Sequence, residues 1–171
     1  MLRGDRVTLR PLAIGDIEPL AALFAEPEVA EWWPGENSVR LEARLDDADE
    51  GTGFVIELDG HLIGFVQYFE ETDPDYRHAS IDIVLHPDWT SQGLGTDAVR
   101  TLARHLFDDL GHHRLTIDPA VVNVRAIASY RKVGFRDVGV MRRYERANDG
   151  TWRDSLLMDL LADEIESGPR A

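Results

Sequence analysis

Between residues 81 and 111 the chain sets a short apolar strand, a proline, a glycine-containing turn and a long amphipathic helix in direct succession, and no other stretch narrows the possible folds as far. In Ile81-Asp82-Ile83-Val84-Leu85 the β-branched residues favour an extended strand, whose alternation sends Ile81, Ile83 and Leu85 to one face and Asp82 to the other. Pro87 stops it, because proline has no amide proton to give to a ladder. Beyond the turn region Trp89 to Gly95, apolar residues recur at Leu94, Ala98, Val99, Leu102, Ala103, Leu106, Phe107 and Leu110. That spacing is a helical stripe, closed by Gly111 as its C-terminal stop.

The remaining signals alternate between strand and helix. Val7 to Pro11 reads as a short strand, and Asp16 as the N-cap of a helix carrying Ile17, Leu20, Leu23 and Phe24 up to Pro27. A second helix starts at Ser38, with Val39, Leu41 and Leu45 near one face, and ends in the acidic run Asp46 to Glu50. Phe54 to Leu58 and Leu62 to Tyr68 flank Asp59-Gly60, a strong hairpin signal. An acidic loop is expected from Glu70 to His78, a strand from Arg114 to Ile117, and a helix from Asn123 to Val133 closed by Gly134. Val138 to Tyr144 and Trp152 to Leu160 complete the chain as strands joined around Asn148-Asp149-Gly150. No repeat, low-complexity tract or linker interrupts this order, so residues 1–165 are expected to form one domain and 166–171 a C-terminal tail.

Composition excludes several function classes. With 32 acidic against 18 basic residues the net charge is −14, which repels nucleic acid and anionic membranes and attracts cationic small molecules. Solubility alone also accounts for an acidic excess, so the placement of the acids has to decide. Lys132 is the only lysine. The absence of cysteine removes disulfides, thiolate metal sites and thiol nucleophiles, and the six histidines show no metal-ligand spacing, so no metal is expected. His112-His113, after the helix stop, reads as a surface pair. No apolar run approaches the roughly 20 residues of a membrane span, and Arg3, Asp5, Arg6 and Arg10 break up any leader-like core. A soluble, cytoplasmic protein is the expectation.

The turn at 89–96 carries the first chemistry. Ser91, Gln92, Gly93, Leu94, Gly95 and Thr96 lie where backbone N–H groups emerge from a helix N-terminus, a setting that favours phosphate or pyrophosphate. Gly93 and Gly95 let backbone approach a ligand closely. No Gly-Lys-Ser/Thr follows, so this is not a Walker loop, and a plain glycine-rich helix start fits the local pattern equally.

The second element is Asn123-Val124-Arg125-Ala126-Ile127-Ala128-Ser129-Tyr130-Arg131-Lys132-Val133-Gly134-Phe135, with Asn123 standing 30 residues after Gly93 and a helix and a strand between. Together, the glycine loop and this Asn-x-x-Ala-x-x-x-Tyr-x-Lys-x-Gly-Phe string resemble the GNAT acyltransferase superfamily, which transfers acyl groups from coenzyme A to amines. Thr90 departs from the pattern, since the family commonly places Arg or Gln at that point of the loop. Glu31-Trp32-Trp33, Glu71-Thr72-Asp73-Pro74, Ile81-Asp82 and Asp118-Pro119 are further similar to aminoglycoside 6'-N-acetyltransferases.

The resemblance implies a mixed α/β fold, a central, mostly antiparallel twisted sheet flanked by helices, with acetyl-CoA as cofactor. It implies Asp82 and Tyr130 as catalytic residues. Cofactor contacts fall to Ile83, Val84, Leu85, the 91–96 loop, Asn123, Ala126 and Tyr130, and acceptor contacts to Trp32, Trp33, Asp73, Asp82 and Asp118. A neutral amine would attack the acetyl thioester directly, with a backbone N–H near Val84 or Leu85 facing the oxyanion and Tyr130 protonating the thiolate. Asn123 would hydrogen-bond the pantetheine.

Each residue also has a plainer reading: Asp82 as a solvated strand residue, Asp118-Pro119 as a turn start, Tyr130 as core, Trp32 and Trp33 as packing. An unperturbed aspartate near ~3.9 and an alkylamine near ~10 differ by about 6 units, roughly 8 kcal/mol uphill for proton transfer, so Asp82 is expected chiefly to bind and orient the amine. The acceptor implied is an aminoglycoside, on a monomer or homodimer. A protein N-terminus, a polyamine or a siderophore-precursor amine are alternatives within the enzyme class, and an inert coenzyme A-binding sensor domain is one outside it.

Overall fold

Asp59 and Gly60 take φ values of 49° and 79°, the left-handed pair that a two-residue hairpin turn needs. They join β3 (Thr52–Leu58) to β4 (His61–Glu71), longer on both sides than the alternation predicts. The computed structural model describes residues 1–46 and 51–165. The acidic run 47–50 and the expected tail 166–171 lie outside the described residues. The other strands are β1 (Leu2–Arg3), β2 (Thr8–Pro11), β5 (His78–Leu85), β6 (Arg114–Ile117), β7 (Arg136–Arg146) and β8 (Trp152–Leu161). They form one eight-stranded sheet in the order β1-β2-β3-β4-β5-β6-β8-β7, in which only the β5–β6 contact is parallel. This is the mostly antiparallel mixed sheet expected.

Helices cover both faces. On one face α4 (Leu94–Arg104) and α5 (Val124–Arg131) lay Leu94, Ala98, Leu102, Ile127 and Tyr130 against Ile56, Ile63, Val66 and Ile81. On the other, α1 (Ile17–Ala25), α2 (Pro27–Ala30) and α3 (Ser38–Asp46) bring Leu20, Phe24, Val29 and Leu41 to Val55, Phe65 and Val84. The alternation of β5 is as expected: Ile81, Ile83 and Leu85 face α4 and α5, while Val84 faces α1 to α3. The stripe after Leu94 ends in one wider π-turn, His105–Asp109, before Gly111 at φ 69°.

Three expectations are corrected. Asp16 sits at the start of α1 without capping it. Its carboxylate instead accepts both Arg10 terminal nitrogens, at 2.6 and 2.7 Å, and the Ala13 N–H at 2.9 Å. Glu70 and Glu71 belong to β4, because the β4–β5 ladder continues to Glu71 opposite His78 and leaves only 72–77 as loop. His112 is buried rather than on the surface, and its Nε2 meets Glu70 Oε1 at 2.8 Å.

Asp97 fastens the N-terminus to α4. Its carboxylate accepts the backbone N–H groups of Asp5, Arg6 and Val7 at 3.0, 2.8 and 3.0 Å. Arg6 Nη1 then donates to the Gln92 carbonyl at 2.7 Å, so the same arm supports the loop that opens α4.

Candidate active site

β5 and β6 pair only at Ala79–Leu115 and Ser80–Thr116, then part. The sheet therefore splits alongside Asp82, and two cavities, of about 360 and 330 Å³, meet there at Trp32, Trp33, Ile83, Asn123 and Tyr130. The His86 N–H donates to the Ile63 carbonyl at 2.9 Å, continuing the β4 register. Since successive amides alternate sides, the Val84 N–H points into β4, and those of Ile83 and Leu85 point to the open side. Of the two expected oxyanion donors, only Leu85 is free of the ladder.

The larger cavity lies at the start of α4. Gly93, the N-cap, has φ 81° and no side chain caps the first turn, so the helix N–H groups are left to solvent or ligand. Ser91, Gly93, Gly95 and Thr96 line this cavity together with Arg125 and Lys132. Thr90 Oγ1 donates to the Pro87 carbonyl at 2.8 Å and accepts from Arg125 Nη1 at 3.3 Å. Arg125, from α5, thus places a cation beside the loop at Thr90. Uncapped amides beside two cations fit the phosphates of a coenzyme A cofactor. Asn123 accepts the Ala126 N–H on its Oδ1 at 3.2 Å, which leaves its Nδ2 for a ligand carbonyl.

The smaller cavity is carboxylate-lined. Asp82 comes from β5, Asp118 follows β6, and Tyr144 and Glu145 come from β7. Gln67, opposite Asp82 on β4, donates Nε2 to Asp82 Oδ2 at 3.2 Å. Burial pushes the Asp82 carboxyl up to about 6; the Gln67 hydrogen bond opposes this, Asp118 adds to it, Arg44 opposes it, and Glu145 adds to it. Burial also raises the Asp118 carboxyl, against the nearby Tyr144 hydroxyl. The Tyr130 hydroxyl rises through burial first and then the charges of Asp82 and Asp118, so it stays protonated at neutral pH.

Trp32 and Trp33 both line the cavities and pack. Arg153 lies 4.9 Å above the Trp32 ring, and Trp33 tilts against Phe24 at 5.2 Å. Ile83, Val84, Leu85, Ala126 and Tyr130 line the larger cavity. Two loop side chains do not. Gln92 turns its Nε2 onto the Asp88 carbonyl and does not line the cavity, and Leu94 is fully buried in the core, so its side chain is closed to a ligand.

Asp73 is not brought to either cavity. Four ladder steps separate the Gln67–Asp82 pair from Glu71–His78, carrying the acidic loop roughly 13 Å along the strand. There Asp73 Oδ1 accepts the Asp75 N–H at 2.9 Å within its own turn. Gln67, Glu36, Arg44, Arg125, Tyr144 and Glu145 are site residues that the sequence reading missed. Gln67 alone carried a local signal, as the one polar residue inside the apolar run Leu62 to Phe69.

The family model described as the acetyltransferase (GNAT) domain matches residues 6–136, and the chain belongs to this family, which uses acetyl-CoA. The aminoglycoside N(6')-acetyltransferase type 1 of Klebsiella pneumoniae is 32% identical over 158 residues, covering 81% of this chain and 78% of the relative. The spermidine N(1)-acetyltransferase of Escherichia coli K12 is 30% identical over 165 residues, covering 92% and 87%. The solved structure of AAC(6')-Ib with paromomycin and acetyl-CoA superposes with a TM-score of 0.79 at 28% identity, covering 97% of this chain and 99% of that one.

Proposed function

We propose that this acetyltransferase modifies a primary amine of an aminoglycoside, the 6'-amine, by direct attack in a ternary complex. The observation that carries the reading is the carboxylate-lined cavity at Asp82 and Asp118, joined through Tyr130 to the cavity at the α4 N-terminus. The relatives that act on aminoglycosides support it.

Bound acetyl-CoA supplies an acetyl thioester. Ser91, Gly93, Gly95 and Thr96 hold its phosphates through the start of α4, with Arg125 and Lys132 beside them, and Asn123 Nδ2 holds its amide arm. Asp82, ionised above about pH 6, receives the substrate ammonium and orients the nitrogen. Its gap to an alkylamine is now about 4 units, roughly 5 kcal/mol, so a water or desolvation still has to complete deprotonation. The Leu85 N–H faces the opening and takes a developing negative oxygen. Tyr130 keeps its proton until it can give it to the leaving sulfur. Asp118 provides a second carboxylate for another ammonium of the same substrate.

A polyamine acceptor is the second reading, favoured by the spermidine-acetylating relative and by the same carboxylates. Thiol release from acetyl-CoA with kanamycin, spermidine or a peptide with a free N-terminus tests both. Release with kanamycin, lost in Asp82→Asn and Tyr130→Phe, is the expected result; release with spermidine or the peptide alone overturns the acceptor.

A further inference from the structure

The acceptor cavity contains a buried cation that carboxylate recognition of an amine does not use. Arg44, on α3, lines this cavity with its side chain 7% exposed, and its Nη2 forms an ion pair with Glu36 Oε2 at 2.8 Å. Its Nε and Nη1 have no hydrogen-bond partner, and neither have Glu36 Oε1, Gln67 Oε1 and Ser155 Oγ in the same wall. Arg40, also lining the cavity, approaches Glu36 at 3.9 Å, so the α3 side holds two guanidinium groups against one carboxylate. The opposite side holds Asp82, Asp118 and Glu145, of which Glu145 is paired with Arg153 at 2.6 Å. One cavity is therefore acidic at the split in the sheet and basic at α3.

A guanidinium only donates hydrogen bonds, and so does an ammonium. A polyamine lying across this cavity would face Arg44 with a like charge or a methylene, leaving the buried donors unsatisfied. A hydroxylated amine offers oxygens that accept from Arg44, and O–H groups that donate to Gln67 Oε1. We infer that Arg44 is a specificity-determining residue, selecting an acceptor that carries neutral oxygens around its reacting amine, an amino sugar or amino alcohol, over a polyamine. This rests on the reading that Asp82 receives the amine.

Removing the ion pair as a unit avoids stranding Glu36, so the variant of choice is Glu36→Gln with Arg44→Met. Unchanged thermal unfolding and unchanged acetyl-CoA binding establish that it folds. With acetyl-CoA saturating, the wild type is expected to prefer kanamycin to spermidine in kcat/KM. In the variant the KM for kanamycin rises at least tenfold with kcat little changed, while spermidine is unaffected or improved. Arg44→Lys, which keeps the charge and a donor, retains the preference within fivefold and serves if the double variant does not fold. A wild type that prefers spermidine overturns the assignment, as does a variant in which both amines change by the same factor. If the wild type acetylates neither amine, the acceptor reading fails on its own. Calorimetric binding of the same two amines with coenzyme A present then decides the Arg44 assignment by the same ratio, and binding of neither overturns it too.

Discussion

Gln67 and Asp82 stand directly opposite each other on β4 and β5, and the Gln67 amide donates to the Asp82 carboxylate at 3.2 Å. That bond favours the ionised carboxylate against burial, which holds the group up at about 6. Replacing Gln67 by methionine, of similar volume but with no donor, is expected to raise the Asp82 carboxyl further. If ionised Asp82 holds the substrate ammonium, activity is lost as pH falls through that value. The acid limb of kcat/KM against pH should therefore move to higher pH in Gln67→Met. A limb that stays in place or moves to lower pH contradicts the role given to Asp82.

Asp82 also predicts a conflict between stability and function. Its carboxyl lies at about 6 in the folded chain, above the ordinary 3.8, so the folded state binds the proton more tightly than the unfolded state. The cost of the ionised form is complete above pH 6 and disappears as pH falls through the ordinary value. Asp82→Asn should be more stable than wild type at pH 8, by at most about 3 kcal/mol before solvent screening is allowed for. Urea titrations at pH 8 and pH 4 should show that gap closing, while the variant loses amine turnover.

Tyr130 is buried and stays protonated at neutral pH, so it acts as an acid or not at all. Tyr130→Phe keeps the ring against Phe135, at a centroid distance of 6.3 Å, and removes only the hydroxyl. A loss of about 100-fold or more in kcat with acetyl-CoA binding unchanged is expected. Pre-steady-state release of thiol checks it, because product release limiting the wild type would mask part of the effect.

Arg125 reaches the Thr90 hydroxyl at the mouth of the cofactor cavity. Arg125→Ala should raise the KM for acetyl-CoA about tenfold, the scale of one charge-assisted hydrogen bond at an exposed site, and leave kcat nearly unchanged. Adding Thr90→Arg to that variant should restore affinity, if the loop position and the helix position supply one and the same charge.

Asp97 accepts three backbone N–H groups from Asp5, Arg6 and Val7. Asp97→Ala strands all three and should cost about 3 kcal/mol or more, read from denaturant unfolding. Because Arg6 also holds the Gln92 carbonyl, the loss should extend to weaker acetyl-CoA binding. Arg6→Ala, which spares the Asp97 bonds, should weaken binding with a smaller loss of stability.

Signals within a few residues of each other were readable from the chain alone. The Asp59-Gly60 turn, the stop at Pro87, the glycine loop and the stripe from Leu94 depend on local dihedral preferences and on i, i+3 and i+4 neighbours. They sufficed for the strand–loop–helix unit, for picking Asp82 and Tyr130 as candidates, both of which line a cavity, and for the resemblance that named a cofactor. The acceptor cavity was not readable in this way. β8 inserts between β6 and β7, and Asn148 donating to the Ala30 carbonyl and Arg153 reaching Trp32 join residues more than a hundred positions apart. Such contacts follow from which faces the whole sheet must bury, and no local pattern encodes that choice. The long-range β4–β5 register carried Asp73 away from the cleft, because each ladder step moves a side chain about 3.3 Å, and the packing of α3 with α1 on the sheet set Arg44 into the cleft wall beside Glu36.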